Sequence, residues 1–180
     1  YKENILIDTH NPATKQVINY AQGLKHGFEI VRNEKLLLNR HIIAIQEILE
    51  ENKAGFRTQA GTTLQNQKNE IIYTPPQHPD EIIRLMGNLE KFINDNDFSD
   101  LDPLTKMAVI HYQFESIHPF YDGNGRTPRI INILYLVLQG LLDIPVLYLS
   151  RYITQNKADY YKVLQGVRVN NDWENMVLYF

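Results

Sequence analysis

The chain has 180 residues, a formal net charge of −3, 43% hydrophobic and 22% charged residues, and no cysteine. This length does not demand two domains, the composition is that of a folded chain, and the charge argues against a general nucleic-acid binder, which would show a basic face. The lack of cysteine removes disulfide and thiolate chemistry and fits a reducing cytoplasm. No stretch approaches the roughly 20 apolar residues of a membrane span, and no basic segment leading into an apolar run marks export.

Tyr1 to Pro12 reads as a lead-in that ends in His10-Asn11-Pro12. From Ala13 to Ile30 the apolar residues Val17, Tyr20, Ala21, Leu24 and Phe28 recur at three and four, the spacing of an amphipathic helix, with Gly23 and Gly27 weakening its second half. Leu36 to Glu50 repeats the pattern through Leu37, Ile42, Ile45, Ile48 and Leu49. His41 in this segment reads as a surface or half-buried histidine, since no partner sits at ligand spacing.

Gly55 to Pro76 is polar and glycine-bearing, with Thr62-Thr63-Leu64 and Ile71-Ile72-Tyr73 flanking Asn66-Gln67-Lys68-Asn69. That pattern suits a β-hairpin closed by Pro75-Pro76. It is either a connecting loop or a flap that aligns an extended target segment along a strand edge. Pro79 to Asn94 is helical by period, through Ile82, Leu85, Met86, Leu89, Phe92 and Ile93. Asp102-Pro103 then supplies an N-cap and a first-turn proline for a helix running to Ser116. His111 in that helix reads as a core histidine satisfied by a carbonyl, with a metal site shared with His118 as the alternative. Glu115 is placed either to orient His118 or to pair with an arginine.

The twelve residues from His118 to Arg129 gather a histidine, an aspartate, a Gly-Asn-Gly turn and two arginines directly before an apolar helix. Glycines on both sides of Asn124 allow successive amides to face one concavity, which binds anions. The following helix adds its unpaired N–H groups and the positive end of its dipole. Arg126 and Arg129, three apart, both reach a polyphosphate, and Asp122 is a hard oxygen ligand suited to Mg²⁺. His118 can act as a base near neutral pH. Ile130 to Leu142 is apolar nearly all round and belongs at the centre of a bundle. Gly140 to Pro145 ends it, Val146 to Tyr152 is short and apolar, a helix holds Tyr160, Tyr161, Leu164 and Val167, and Trp173 to Phe180 is still helical at the last residue.

The stretch resembles the HxFx(D/E)GNGRxxR motif of the Fic (Fic/Doc) family, matched at His118, Phe120, Asp122, Gly123, Asn124, Gly125, Arg126 and Arg129. The resemblance implies a mainly α, single-domain, Fic-type helical bundle with one small β-hairpin flap. Residues 1–54 are expected to form an N-terminal helical part and residues 55–180 the Fic core, with the flap at 62–75 and the motif at 118–129. The exposed apolar ending Leu178-Tyr179-Phe180 suggests a fragment of a longer chain.

The resemblance also implies a reaction, namely transfer of AMP from ATP to a Ser, Thr or Tyr hydroxyl of a target protein docked on the flap. His118 would take the hydroxyl proton and Asp122 would hold Mg²⁺. Asn124 with the Gly123 and Gly125 backbone would hold the α- and β-phosphates, Arg126 and Arg129 the β- and γ-phosphates, and Tyr161 the adenine side. Removal of AMP from a modified protein and a catalytically silent nucleotide-binding adaptor are the competing readings. Thr127-Pro128 places proline where the family often has glycine, which a first helical turn tolerates. The family's inhibitory (S/T)-x-x-x-E-(G/N) string does not occur in the chain, so an inhibitory helix would come from upstream residues or from a partner.

Overall fold

In the computed structural model, which describes residues 11–66 and 68–180, a first helix α1 (Pro12–Glu34) starts where the Asn11 side chain accepts a hydrogen bond from the Ala13 amide at 2.9 Å. The rest of the expected lead-in lies outside the described residues. Gly23 and Gly27 do not cut α1 short. Gly27 is a close-packing seat instead: a Cβ there would lie 2.5 Å from Leu134 Cδ1 and 2.9 Å from Ile45 Cδ1.

Helix α2 (Asn39–Glu50) begins three residues later than its apolar pattern. The cause is Asn94, whose side chain pairs with both the amide and the carbonyl of the fully buried Leu37 at 2.8 Å, so that the helix starts only after the extended N-cap Leu38. His41 is buried rather than half-exposed, because its Nδ1 accepts the Leu38 amide at 3.2 Å and closes the first turn of α2. Its Nε2 lies 3.2 Å from Glu34, a partner that sequence spacing did not reveal.

The hairpin forms, with β1 (Leu64–Gln65) antiparallel to β2 (Ile71–Tyr73) and Leu64 opposite Tyr73. Helix α3 (Pro79–Asn94) has the expected limits, and α4 (Pro103–Ile117) is capped by Asp102, which accepts the Leu104 and Thr105 amides at 3.0 and 3.1 Å. Helix α5 (Thr127–Leu138) is shorter than the apolar run. Gly140 turns into the left-handed region at φ 69°, so the Leu141 amide reaches the Leu136 carbonyl at 2.9 Å and the helix stops. Helices α6 (Leu149–Gln155), α7 (Lys157–Asn170) and α8 (Trp173–Tyr179) follow.

One core joins α1 to α5, and α5 is its axis: Ile130, Ile131, Ile133, Leu134 and Tyr135 are each at most 1% exposed. Burial of a large apolar side chain contributes roughly 1.5–3 kcal/mol. Five such residues within six positions anchor α5 firmly beneath whatever sits at its start. A second, smaller core of Leu149, Ile153, Tyr160, Leu164, Val167 and Met176 holds α6 to α8, and Phe180 packs against both.

Candidate active site

The last turn of α4 and the first turn of α5 converge on a concavity of about 240 Å³ lined by His118, Tyr121, Asp122, Gly123, Asn124, Gly125, Arg126 and Arg129. His118 is the C-cap of α4 and adopts a left-handed backbone, φ 50° and ψ 58°. This turns its side chain off the helix, and Pro119 prevents the helix from resuming. Its Nδ1 is sealed from solvent without a partner in full hydrogen-bond geometry. That leaves Nε2 as the ring nitrogen available to a ligand in the concavity that His118 lines. Burial first, then the Arg57 charge, lower the imidazole pKa to about 4, so it is neutral and able to accept a proton at pH 7.

The Gly-Asn-Gly corner differs in detail from the expected nest. Only Gly123 is left-handed, at φ 85°, and there a Cβ would lie 2.5 Å from Glu50 Oε1; Gly125 does not have positive φ. The Asn124 side chain, expected as a phosphate ligand, already has both its amide atoms engaged. It is buried and closes the loop, its Oδ1 accepting the Phe120 amide at 2.9 Å and its Nδ2 donating to the Phe120 carbonyl at 2.8 Å. The Gly123 amide is taken by Asp122 Oδ1 at 3.0 Å. That leaves the amides of Asn124 and Gly125 without an acceptor among the described residues, at the start of α5. A helix N-terminus with free amides attracts an anion.

The two arginines are not equivalent. Arg129 in the first turn of α5 spends Nε on the Gly125 carbonyl at 2.8 Å. Arg126, the N-cap, is held by Glu50 at the end of α2, with both carboxylate oxygens 2.7 Å from its Nη2. Burial pushes the Glu50 pKa up, Arg126 pulls it back and Asp122 raises it again. Pro128 lies in the first turn, where it leaves α5 unbroken. Gln46 adds a second tie from α2, donating to the Asp122 carbonyl at 3.2 Å.

Behind the concavity His111 is a core residue, 0% exposed, with Nε2 2.8 Å from the Tyr160 hydroxyl and Nδ1 3.2 Å from the Asn132 amide. Both ring nitrogens are committed, so it shares no metal with His118. Among the described residues no group of three acidic, histidine or cysteine side chains is placed to hold an ion. Burial, then the Arg129 charge, lower its pKa to about 3. Glu115 neither orients His118 nor pairs with an arginine; it accepts the Tyr160 hydroxyl at 2.9 Å, and burial raises its pKa to about 7. It is Tyr160 that turns inward, whereas Tyr161, expected on the adenine side, is 58% exposed on α7 and does not line the concavity.

Three side chains around the site carried no local sequence signal. Glu50 lies 76 residues from Arg126. Arg57, 1% exposed, sits in a polar stretch whose periodicity says nothing of burial, and its partners at the end of α4 are about 60 residues away. Tyr121 occupies a variable motif position, yet its hydroxyl accepts the Thr58 and Gln59 amides at 2.9 and 3.2 Å.

An imidazole, two free backbone amides, two guanidinium groups and the Asp122 carboxylate thus line one concavity of a helical domain, a charge arrangement that suits an anion. A sequence model described as the Fic/DOC family matches residues 33–136, more than half of the chain, and the chain belongs to that family. It is 27% identical over 152 residues to protein adenylyltransferase fic-1 of Caenorhabditis briggsae, covering 81% of this chain and 28% of the relative. It is 30% identical over 133 residues to protein adenylyltransferase Fic of Drosophila erecta, covering 72% of this chain and 26% of the relative. The chain thus spans about a quarter of the length of these curated relatives. The fold is that of a Fic family protein from Desulfovibrio desulfuricans G20, with a TM-score of 0.75 and 24% identity over 93% of this chain and 50% of that one.

Proposed function

We propose that the chain transfers AMP from Mg-ATP to a Ser, Thr or Tyr hydroxyl of a target protein, releasing pyrophosphate. The observation that carries this reading is the convergence of His118, the free amides of Asn124 and Gly125, and the two arginines on one concavity at the start of a buried helix. About 240 Å³ is less than the roughly 300–1,000 Å³ that a whole small-molecule ligand fills, so it suits the polyphosphate arm. The relatives named protein adenylyltransferase support the same reaction.

In this reading the target hydroxyl attacks the α-phosphorus, its proton passes to Nε2 of His118, and the bond from the α-phosphorus to the α,β-bridging oxygen breaks. The amides of Asn124 and Gly125 hold phosphate oxygens, and Arg129 takes the negative charge of the departing pyrophosphate. Arg126 joins it once a phosphate displaces Glu50. Preorganised charge of this kind supplies most of the catalysis in phosphoryl and nucleotidyl transfer. Asp122 spends Oδ1 on the Gly123 amide and keeps the other oxygen, and one carboxylate is what Mg²⁺ takes when phosphates and water complete its shell. When bound there, Mg²⁺ neutralises charge on the α- and β-phosphates.

The flap, β1 and β2, offers a strand edge for an extended target segment. The lack of cysteine suits work in a reducing compartment such as the cytoplasm, and among the described residues no helix is long and apolar enough to cross a membrane. The test is incubation with α-labelled ATP, Mg²⁺ and a cell lysate. Label is expected on protein, and His118→Ala abolishes it while ATP binding persists. Undiminished labelling by that variant overturns the role of His118.

A further inference from the structure

We propose that Arg57 is a positioning residue that fixes His118 relative to the flap, so that a target segment lying on the flap meets the imidazole at one constant spacing. The proposal rests on the transferase reading above. Arg57 is among the largest fully buried side chains in the molecule, yet it meets no carboxylate among the described residues. Its partners are backbone carbonyls from separate segments. Nε donates to His118 at 2.8 Å, while Nη2 donates to Ile117 at 3.3 Å and also to Pro76. The Arg57 amide donates to Pro119, again at 2.8 Å.

Two of these carbonyls belong to the last turn and C-cap of α4, where carbonyls lack helical partners and the dipole is negative, so a cation is favoured on two counts. Pro76 closes the flap, and Pro119 starts the motif loop. The guanidinium thus touches both the peptide of His118 and the end of the hairpin. Its fixed fork of donors can hold such an arrangement, which a flexible ammonium cannot. His118 is left-handed, a conformation held only where the surroundings over-determine it. The bond from Arg57 Nε to the His118 carbonyl fixes that peptide.

The neighbouring residues extend the clamp. Tyr121, from the motif loop, accepts the Thr58 and Gln59 amides, so the segment after Arg57 is clipped to the catalytic loop from the solvent side. The Tyr73 hydroxyl donates to the Ser116 carbonyl at 3.0 Å, and the Arg168 guanidinium lies 4.1 Å over the Tyr73 ring, tying β2 to α4 and α7. Flap and base therefore move as one body, with Arg57 at the joint.

Arg57→Lys keeps the charge and loses the fork. Its nucleotide affinity, read by calorimetry with Mg-ATP, is expected to stay within about twofold of wild type. Incorporation of α-label into lysate protein at saturating Mg-ATP should fall by about tenfold or more, since a misplacement of about 1 Å can lower a rate 100-fold. Release of AMP to water, which does not use the flap, should fall less than transfer to protein. Tyr121→Phe, at an exposed position, breaks the outer clip without opening the core, and should lower transfer in the same sense by a smaller factor.

Equal losses of affinity, hydrolysis and transfer in both variants would show a merely structural residue, and unchanged transfer in Arg57→Lys would also overturn the proposal. Should wild type label no protein, the transferase reading is what fails. The clamp is then judged by the amide exchange rates of Thr58 and Gln59 and by the His118 ring signal in spectra of wild type and Arg57→Lys. Faster exchange together with a shifted ring signal supports the joint, and unchanged spectra refute it.

Discussion

Glu50 places both carboxylate oxygens 2.7 Å from Nη2 of Arg126, the group that the proposed reaction assigns to a phosphate. A triphosphate must displace that carboxylate and also tolerate its charge. Glu50→Gln keeps the shape of the side chain, so the Kd of Mg-ATP measured by calorimetry should fall by roughly five- to tenfold, a change of about 1 kcal/mol, as expected for a partly buried pair. Weaker binding in the variant would mean that Glu50 holds Arg126 in its working position. At this scale the sequence revealed those features that a local motif carries: the imidazole, the glycine corner, the carboxylate and both arginines. It did not reveal which groups were already occupied. Asn124 looks like a ligand in a string of letters and is a loop clamp in three dimensions, because only the fold shows that its amide meets the Phe120 backbone.

Among elements, α1 shows how the same residue type takes opposite roles. Gly27 sits where α1 crosses α2 and α5, and the atoms its Cβ would meet belong to Ile45 and Leu134, both 0% exposed and unable to swing aside. Gly27→Ala gains about 1 kcal/mol of helix propensity and loses about 1–3 kcal/mol to overpacking, so the protein should melt lower. Gly87 in α3 has no atom within 4 Å of an added Cβ, and Gly87→Ala should melt slightly higher. Thermal melts of the two variants check the pair; the reverse order would contradict the close crossing. Helix periods, the Asp102-Pro103 start and the hairpin were legible because each depends on neighbours in sequence. The late start of α2 and the early stop of α5 were not, since the first depends on Asn94 and the second on a Gly140 turn that overrides an apolar run.

At the scale of the whole molecule, His111, His118 and Glu115 carry the largest shifts among the histidines and carboxyls, while His41 is lowered and Glu50 raised in the same two senses. His111 and His118 have pKa values lowered to about 3 and about 4, so the unfolded chain takes up protons near pH 6.5 that the folded chain refuses. Their contribution is present above pH 6.5 and is lost as pH falls towards 4 and 3. Glu115, raised to about 7, acts in reverse: its contribution is complete below about pH 4.5 and is lost as pH rises through 7. Two histidines outweigh one carboxyl between pH 5 and 6, leaving a net change of about 1.4 kcal/mol per pH unit. These groups place the stability maximum near pH 7, and Glu115→Gln should move it to higher pH; melts from pH 5 to 9 check both. In the proposed reaction the corner before α5 binds the phosphates of a nucleotide beside His118. Backbone amide spectra recorded while a non-hydrolysable Mg-ATP analogue is added check this binding. The largest shifts should fall on the amides of Asn124 and Gly125, with the His118 ring signal moving in step. Saturable binding that leaves those two amides and that ring unmoved would contradict the account.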